Sequence, residues 1–232
     1  ETPPELIVDR ATDSGCRSIA YTYTEPTIYF EYAYDVAEIA QARGLMNVLV
    51  TNGFMSPEML EVFHPLVDAA NVDLKGFKDE TYRAHVGARL QPVLDSLRLM
   101  KEHGIWVEVT TLLIPELNDS EEELHQIAGF IAEELGPETP WHISRFHPAY
   151  KMTDRNATPL SSLERALRIG EEKGLHYIYL GNVGGDHQNT RCHNCGAVVI
   201  ERRGFGVTIN HAEAGACPKC KAVVAGLQLN GT

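Results

Sequence analysis

The chain has 232 residues, of which 44% are hydrophobic and 22% charged, and its formal net charge is −12. This length supports one α/β domain with a hydrophobic core and a small second module. The acidic net charge argues against nucleic acid as a partner. The sequence shows no signal peptide and no apolar run near the roughly 18 residues that span a bilayer. We therefore expect a cytoplasmic protein without membrane association.

Six short runs of β-branched and apolar residues predict β-strands, and segments with helical periodicity separate them. This alternation predicts parallel strands joined by right-handed crossovers. We therefore expect an α/β fold, a partial (β/α) barrel of the triosephosphate-isomerase type, with a doubly wound open sheet as the alternative. The predicted strands are residues 18–23, 47–51, 71–75, 106–114, 141–146 and 176–180.

Capping signals indicate where three of the intervening helices begin. Ser56 followed by Pro57 is typical of an N-cap and a proline at the first helical position. Residues 118–120, Asn-Asp-Ser, precede an acidic first turn that favours a helix N-terminus. Ser161 and Glu164 have the spacing of a capping box.

Polar or glycine residues follow nearly every predicted strand. Ligands of parallel barrels bind at the carboxyl ends of the strands, so these residues indicate a ligand site. Asp73 and Lys75, two residues apart on a strand, face the same side and either clamp a zwitterionic group or form a structural ion pair. Glu25 either holds an amine or favours the helix that follows it. His147 is either a partner for a base or an ordinary loop residue.

Four cysteines near the C-terminus form two C-x-x-C pairs separated by 21 residues. Four thiolates at this spacing predict a closed tetrahedral metal site of structural type, with zinc favoured over iron. Two disulfides of a secreted protein are the alternative. The fifth cysteine, Cys16, is expected to pack as a small hydrophobic residue. The metal ligands are Cys192, Cys195, Cys217 and Cys220.

The domain organisation follows from where the helical periodicity stops, after residue 188. We expect a barrel domain over residues 1–188 and a metal-binding module of zinc-ribbon type, with short hairpin strands, over residues 189–232.

Taken in chain order, these segments resemble the radical S-adenosylmethionine (SAM) enzymes. They are most similar to the group related to pyruvate formate-lyase activating enzyme and, within it, to the radical SAM enzymes of the AmmeMemoRadiSam system. The resemblance covers essentially the whole chain, including the four-cysteine tail. It rests on residues 21–27 (YTYTEPT), 50–55 (VTNGFM), 72–77 (VDLKGF), 112–120 (LLIPELNDS), 146–148 (FHP) and 181–183 (GNV).

The resemblance implies a SAM-binding role for strand-end residues. Thr24 and Glu25 stand where the family holds the methionine amino group, and Asp73 and Lys75 match positions that contact the amino and carboxylate ends of SAM. The ribose and adenine contacts that it implies are Thr51, Asn52, Gly53, Leu112 and His147.

Three departures from the family pattern affect these expectations. Val50 replaces an aspartate that contacts the ribose hydroxyls, and Thr110 replaces an arginine on the fourth strand. The C-x-x-x-C-x-x-C loop, whose three thiolates hold a [4Fe-4S] cluster, is absent from the sequence. We expect that loop, with the first strand of the barrel, to lie upstream of Glu1, and the chain alone to be inactive.

The resemblance implies an activase-like enzyme that reductively cleaves SAM and abstracts hydrogen from a protein or small-molecule substrate, with an electron donor protein as partner. Two other hypotheses remain. The chain is a cluster-free, non-catalytic module that binds SAM or a partner, or it is a barrel lyase or isomerase that uses Lys75 for a Schiff base.

Overall fold

The computed structural model describes residues 2–204, 206–212 and 215–227. Six strands are hydrogen-bonded in chain order, and the pairs β1–β2, β2–β3, β4–β5 and β5–β6 are parallel. The predicted parallel α/β fold is confirmed. The strands are β1 (Ser18–Tyr21), β2 (Met46–Thr51), β3 (Ala69–Asp73), β4 (Trp106–Leu113), β5 (Trp141–Arg145) and β6 (Ile178–Gly181).

Every predicted strand is present, but four end earlier than expected, and two of these, β4 and β5, end one residue early at Leu113 and Arg145. β1 ends at Tyr21 instead of residue 23, and β3 ends at Asp73, so Lys75 lies in the loop that follows. The helices are α1 (Pro4–Asp13), α2 (Phe30–Ala42), α3 (Pro57–Phe63), α4 (Asp79–Thr81), α5 (Leu90–Glu102), α6 (Glu121–Phe130) and α7 (Leu160–Glu172). Short 3₁₀ turns at Pro26–Tyr29, His64–Leu66 and Asp186–Gln188 and π turns at Tyr82–Val86 and Ile131–Leu135 complete the main elements.

The helix caps agree with two of the three predictions. The Ser56 hydroxyl accepts a hydrogen bond from the backbone N–H of Met59 and begins α3, and Ser120 caps α6 in the same way. The predicted capping box at Ser161 is wrong. The N-cap of α7 is Pro159, two residues before Ser161, so Ser161 lies inside the first turn of the helix.

The first compact unit comprises Glu1–Leu74 and Tyr82–Glu108. Its core includes Phe63, whose ring makes edge contacts with those of Tyr21 and Phe30. The buried amide of Asn47 is fully hydrogen-bonded: it accepts from the Tyr21 hydroxyl at 2.8 Å and donates to two backbone carbonyls. Asn47 lies on β2, Tyr21 on β1 and Ala37, which supplies one of the two carbonyls, on α2, so this amide joins the three elements.

The second compact unit comprises Lys75–Thr81 and Val109–Thr232. Trp141 is fully buried and donates from Nε1 to the Thr111 hydroxyl at 3.0 Å. Helix α7 packs tightly there, because a Cβ on Gly170 would lie 2.6 Å from the Ile178 side chain.

The C-terminal part of the second unit contains the predicted hairpin strands as a three-stranded antiparallel sheet. Its strands are β7 (Thr190–Arg191), β8 (Val198–Arg203) and β9 (Gly206–Asn210). The Tyr177 hydroxyl, next to β6, accepts a hydrogen bond from the backbone N–H of Ala225 at 2.9 Å. The domain boundary between residues 188 and 189 falls inside this unit and stays a prediction.

Among the described residues, we find no helix with the length and apolar character needed to cross a bilayer.

Candidate functional site

In the first unit, the carboxylate of Glu25 organises the ends of two neighbouring strands. Glu25 follows β1 and is only 7% exposed. Its Oε1 accepts a hydrogen bond from the Thr51 hydroxyl at 2.6 Å, and its Oε2 accepts one from the backbone N–H of Asn52 at 2.8 Å. The N–H of Thr27 also donates to Oε1, at 3.4 Å, so the Glu25 side chain caps the start of the 3₁₀ turn. The structure thus brings together three residues that the sequence predicted as a site.

The glycine of this segment is required by packing and by backbone conformation. Gly53 has φ +73°, and a Cβ there would lie 2.6 Å from Val72 Cγ1 and 3.1 Å from Val93 Cγ1. Its N–H donates to the Thr51 hydroxyl at 3.1 Å. Any residue larger than glycine would therefore move β2 away from β3 or from α5. Close approach to the protein's own side chains is a reason for this glycine that the sequence alone did not show.

The other predicted residues of the first unit occupy the same strand ends. Thr24 is exposed in the segment between β1 and the 3₁₀ turn, and Asp73 is the last residue of β3 and half-buried.

In the second unit, the amide of Asn118 joins two segments that carry predicted site residues. Asn118 is fully buried, and its Nδ2 donates to the backbone carbonyls of Lys75 and Leu112, each at 2.9 Å. Its Oδ1 accepts from the N–H of Ile114 at 2.7 Å. The sequence identified Asn118 only as one of three possible helix caps. Since a helix has one N-cap and Ser120 fills it, the other two polar residues were free to bind elsewhere.

A buried carboxylate on α6 supports the same loop. Glu123 has no exposed surface, and its Oε1 accepts a hydrogen bond from the N–H of Phe77 at 2.7 Å. Its Oε2 forms an ion pair with Lys78 Nζ at 3.5 Å but no hydrogen bond with a described residue. A Cβ on Gly76 would lie 3.0 Å from Oε1. The loop from Lys75 to Lys78 is therefore fixed by side chains from the next βα step, a role that the acidic pattern of α6 did not reveal.

A third buried polar residue, Thr158, joins the ends of β4 and β5. Its hydroxyl donates to the carbonyl of Leu113 and accepts from the N–H of Phe146 at 3.0 Å. The predicted residues beside these two, Leu112 and His147, are both exposed at the strand ends. Sequence reasoning missed Thr158 because it lies in a long irregular loop.

The four C-terminal cysteines come together as the spacing predicted. Their sulfurs all lie within 4.8 Å of one another. Two cross-knuckle pairs, Cys192–Cys220 and Cys195–Cys217, are separated by 3.5 and 3.7 Å. A disulfide requires about 2.0 Å, whereas sulfurs about 2.3 Å from one tetrahedral ion lie about 3.8 Å apart. The donor set therefore fits a metal ion, and all five cysteines are free thiols.

The two C-x-x-C knuckles have the same backbone hydrogen bonds. The N–H of Cys192 donates to Ala197 O at 2.8 Å, and that of Gly196 donates to Cys192 O at 2.8 Å. In the second knuckle, Cys217 N donates to Ala222 O at 2.9 Å and Lys221 N donates to Cys217 O at 3.0 Å. Equivalent positions four residues after the first cysteine are left-handed, with φ +70° at Gly196 and +66° at Lys221. The first cysteine of each knuckle is buried in the module's core.

Backbone amides favour the anionic form of two of these thiols. The N–H of Ala222 is the largest of several hydrogen-bond donors, Asn194 among them, that together lower the pKa of Cys220 to about 6. The N–H of Cys220 lowers the pKa of Cys217. The N–H of Ala197 also lowers the pKa of Cys195, but burial and the neighbouring thiols outweigh it and raise that pKa to about 11. A cation among the four sulfurs would favour the anionic form of all four thiols.

Besides the four-cysteine site, the chain does not supply the three thiolates that the family's [4Fe-4S] cluster requires. Outside the four-cysteine group the sequence has one cysteine, Cys16, and it is exposed, so the prediction that it packs as a small hydrophobic residue is wrong. One thiolate cannot replace the three that the family's cluster loop supplies.

Comparison with known proteins identifies the family. The Radical SAM superfamily matches residues 1–128. The chain is 48% identical over 210 residues to the uncharacterized protein MJ0808 of Methanocaldococcus jannaschii, an alignment that covers 90% of this chain and 62% of that protein. It is 28% identical over 111 residues to the isethionate sulfite-lyase activating enzyme of Oleidesulfovibrio alaskensis, covering 47% of this chain and 36% of that enzyme. The chain thus spans less than two thirds of the curated relatives that it matches.

Solved structures show the same fold at low identity. A domain of pyruvate-formate lyase-activating enzyme from Bacteroides vulgatus superposes with a TM-score of 0.63 at 15% identity and covers 71% of this chain and 99% of that domain. Streptococcus suis SuiB bound to S-adenosylmethionine also has a TM-score of 0.63 at 15% identity, covering 80% of this chain and 44% of SuiB.

Proposed function

This chain belongs to the radical SAM superfamily, whose members are generally enzymes, and we propose that it forms the SAM-binding part of an activase-like radical SAM enzyme. The observation that carries the proposal is the hydrogen-bonded group of Glu25, Thr51 and Asn52, which joins two parallel strand ends inside the matched region. The resemblance of the chain to the radical SAM enzymes of the AmmeMemoRadiSam system, which are related to pyruvate formate-lyase activating enzymes, is part of this proposal.

The proposed contacts with the methionine end of SAM use opposite charges. Lys75 offers an ammonium to the carboxylate, and Asp73 offers a carboxylate to the amine. Thr24 and Glu25 are also proposed to contact the amine. In this arrangement Asn118 acts as a positioning residue, since its amide holds the Lys75 carbonyl.

The proposed contacts with the nucleoside lie at the carboxyl ends of β2, β4 and β5. Thr51, Asn52 and Gly53 follow the ribose, and Leu112 and His147 contact the adenine. The exposure of Leu112 and His147 leaves their side chains accessible to a ligand.

We assign the four-cysteine group a structural zinc ion. The site is closed by four protein ligands, and its first cysteines are part of the module's hydrophobic core, which is typical of zinc that supports folding. Its thiolates are fully used in one tetrahedron, so they leave no position for a substrate.

The radical chemistry would depend on a [4Fe-4S] cluster whose ligands are not among this chain's residues. We propose that the intact enzyme carries that cluster, receives electrons from a donor protein and abstracts hydrogen from a protein or small-molecule substrate. The activating-enzyme relatives support this reaction class.

The test measures binding of radiolabelled SAM to the chain by equilibrium dialysis, and 5′-deoxyadenosine formation by the reconstituted intact enzyme. Lys75→Ala is expected to weaken both by about 10- to 100-fold, because a charge-assisted contact contributes roughly 1.5–3 kcal/mol. Lys101→Ala, on α5, is the charge-matched control. Unchanged binding and turnover in Lys75→Ala would overturn the assigned role.

The alternative is a non-catalytic module that binds SAM or a partner. Iron and acid-labile sulfide analysis of the intact gene product separates the two. Zinc without iron would support the binding module, and about four irons per chain would support the enzyme.

A further inference from the structure

A second group of potential metal ligands lies in the first unit, away from the strand ends described above. It consists of Glu61, His64 and His103, and one donor atom from each lies within 4.8 Å of the others. Glu61 and His64 are three residues apart at the end of α3, so their side chains emerge on the same face. His103 is the residue that ends α5.

One donor atom of this group is buried without a hydrogen bond. Nε2 of His103 is inaccessible to solvent and has no hydrogen-bond partner among the residues that the structure describes, although Glu61 Oε1 lies only 3.2 Å away. The carboxylate is therefore close but poorly directed. A buried nitrogen that faces a carboxylate without bonding to it costs free energy unless a third species binds both.

The second histidine is stacked on the first. The rings of His64 and His103 are parallel within 5°, with centroids 3.9 Å apart. Parallel rings direct their nitrogens in parallel, so binding of a common ion requires the half-buried His64 ring to turn out of the stack. Ligands about 2.0–2.1 Å from a tetrahedral ion lie about 3.3 Å apart, and the Glu61–His103 pair already has this spacing.

We propose that Glu61, His64 and His103 form a binding site for a divalent transition-metal ion of the zinc type. Two imidazoles and one carboxylate suit Zn²⁺, Co²⁺, Ni²⁺ or Cu²⁺, whereas Ca²⁺ and Mg²⁺ prefer oxygen ligands. Water completes the coordination, because only three protein ligands are present. The chemistry is distinct from that of the four-thiolate site.

The position of the group assigns it a structural role. His64 precedes β3 and His103 precedes β4, so both lie before the amino ends of their strands. In parallel α/β folds catalytic groups gather at the opposite, carboxyl ends. An ion here would link α3 to α5 and stabilise the native state by binding it in preference to the unfolded chain.

The experiment uses untagged chain preloaded with one equivalent of Zn²⁺ to fill the four-cysteine site, followed by titration with Co²⁺. The wild type is expected to bind a second equivalent with visible d–d absorption but no sulfur-to-cobalt charge transfer, and to melt at a higher temperature. His64→Ala and His103→Ala are expected to lose the second equivalent and keep the first. Glu61→Gln, at a largely exposed side chain, should weaken the second site by at least 10-fold without affecting folding.

His125→Ala, in the second unit, is the control and should bind both equivalents. Retention of the zinc equivalent and an unchanged circular dichroism spectrum identify folded variants. The proposal is overturned if the wild type binds one equivalent only, or if the second equivalent persists in His64→Ala and Glu61→Gln.

Discussion

The Glu25 carboxylate and the Thr51 hydroxyl are 26 residues apart in the chain and form a buried hydrogen bond of 2.6 Å. Because the second Glu25 oxygen holds the backbone N–H of Asn52, this side chain fixes the end of β2 to the segment after β1. Glu25 therefore stabilises the structure whether or not it also contacts SAM, and the two roles must be measured separately.

Glu25→Gln is expected to lower the free energy of unfolding by about 1–2 kcal/mol. The carboxylate accepts charge-assisted hydrogen bonds from the Thr51 hydroxyl and the Asn52 N–H, and a neutral amide replaces both with weaker neutral ones. Urea denaturation measures the change, and Glu38→Gln, on the exposed face of α2, is the neutral control. Equal stability of both variants would contradict the structural role of the carboxylate.

Gly53→Ala is expected to destabilise the chain by about 2–4 kcal/mol, since positive φ and overpacking each contribute. Gly44→Ala separates the two effects, because Gly44 has φ +76° with no atom within 4 Å of its added Cβ. That control should cost about 1 kcal/mol. The double variant Gly53→Ala/Val72→Ala is a second comparison. Because Val72→Ala removes the methyl group that the new Cβ would meet, Gly53→Ala should destabilise this background less than the wild type. An equal loss of stability in both backgrounds would refute the steric explanation.

Asn118→Asp is expected to destabilise the chain by about 2–3 kcal/mol at neutral pH. The substitution preserves shape but places a carboxylate oxygen against the carbonyls of Lys75 and Leu112, where an NH₂ group now donates. Thermal unfolding measures the loss, with the exposed Asn156→Asp as control. If SAM binds as proposed, its affinity should fall in Asn118→Asp even well below the melting temperature.

Lys221→Gly is expected to stabilise the metal-loaded module by about 0.5–1 kcal/mol, because glycine removes the strain of a left-handed residue. The reciprocal Gly196→Lys should destabilise it by a similar amount, since the two positions are equivalent. Chelator competition followed by metal analysis detects both changes. Effects of the same sign in the two variants would show that the knuckles are not equivalent.

Burial raises the pKa of Tyr21 well above its usual value, with the nearby Tyr29 adding to the effect. The unfolded tyrosine ionises near pH ~10, so its contribution to stability is complete below that pH and is lost as pH rises beyond it. Tyr21→Phe should be less stable by about 1 kcal/mol at neutral pH, because the hydrogen bond to Asn47 is lost.

Above pH ~10 the wild-type and Tyr21→Phe stabilities should converge. Tyr23→Phe removes a hydroxyl on a side chain that is 92% exposed, and no change is expected from it. Denaturation midpoints from pH 7 to 11 measure this difference. A gap between wild type and Tyr21→Phe that stays constant with pH would contradict the prediction.

Local pattern determined the parallel α/β fold and the four-cysteine group. Strand periodicity, the Ser56 cap and the two C-x-x-C pairs depend on neighbours within a few residues, so the sequence displays them directly. The clustering of Glu25, Thr51 and Asn52 was also predictable, because carboxyl ends of adjacent parallel strands lie together. The SAM contacts and the domain boundary stay predictions.

Only the tertiary structure decided which polar side chains support those strand ends. Asn118 reaches a carbonyl 43 residues away, Thr158 reaches one 45 residues away, and Glu61 approaches His103 from a different helix. No local spacing encodes such pairs, since helix and strand periods specify a face but not the partner packed against it. The reason is physical: a buried amide or carboxylate takes its partners from whatever backbone the completed fold places within hydrogen-bonding distance.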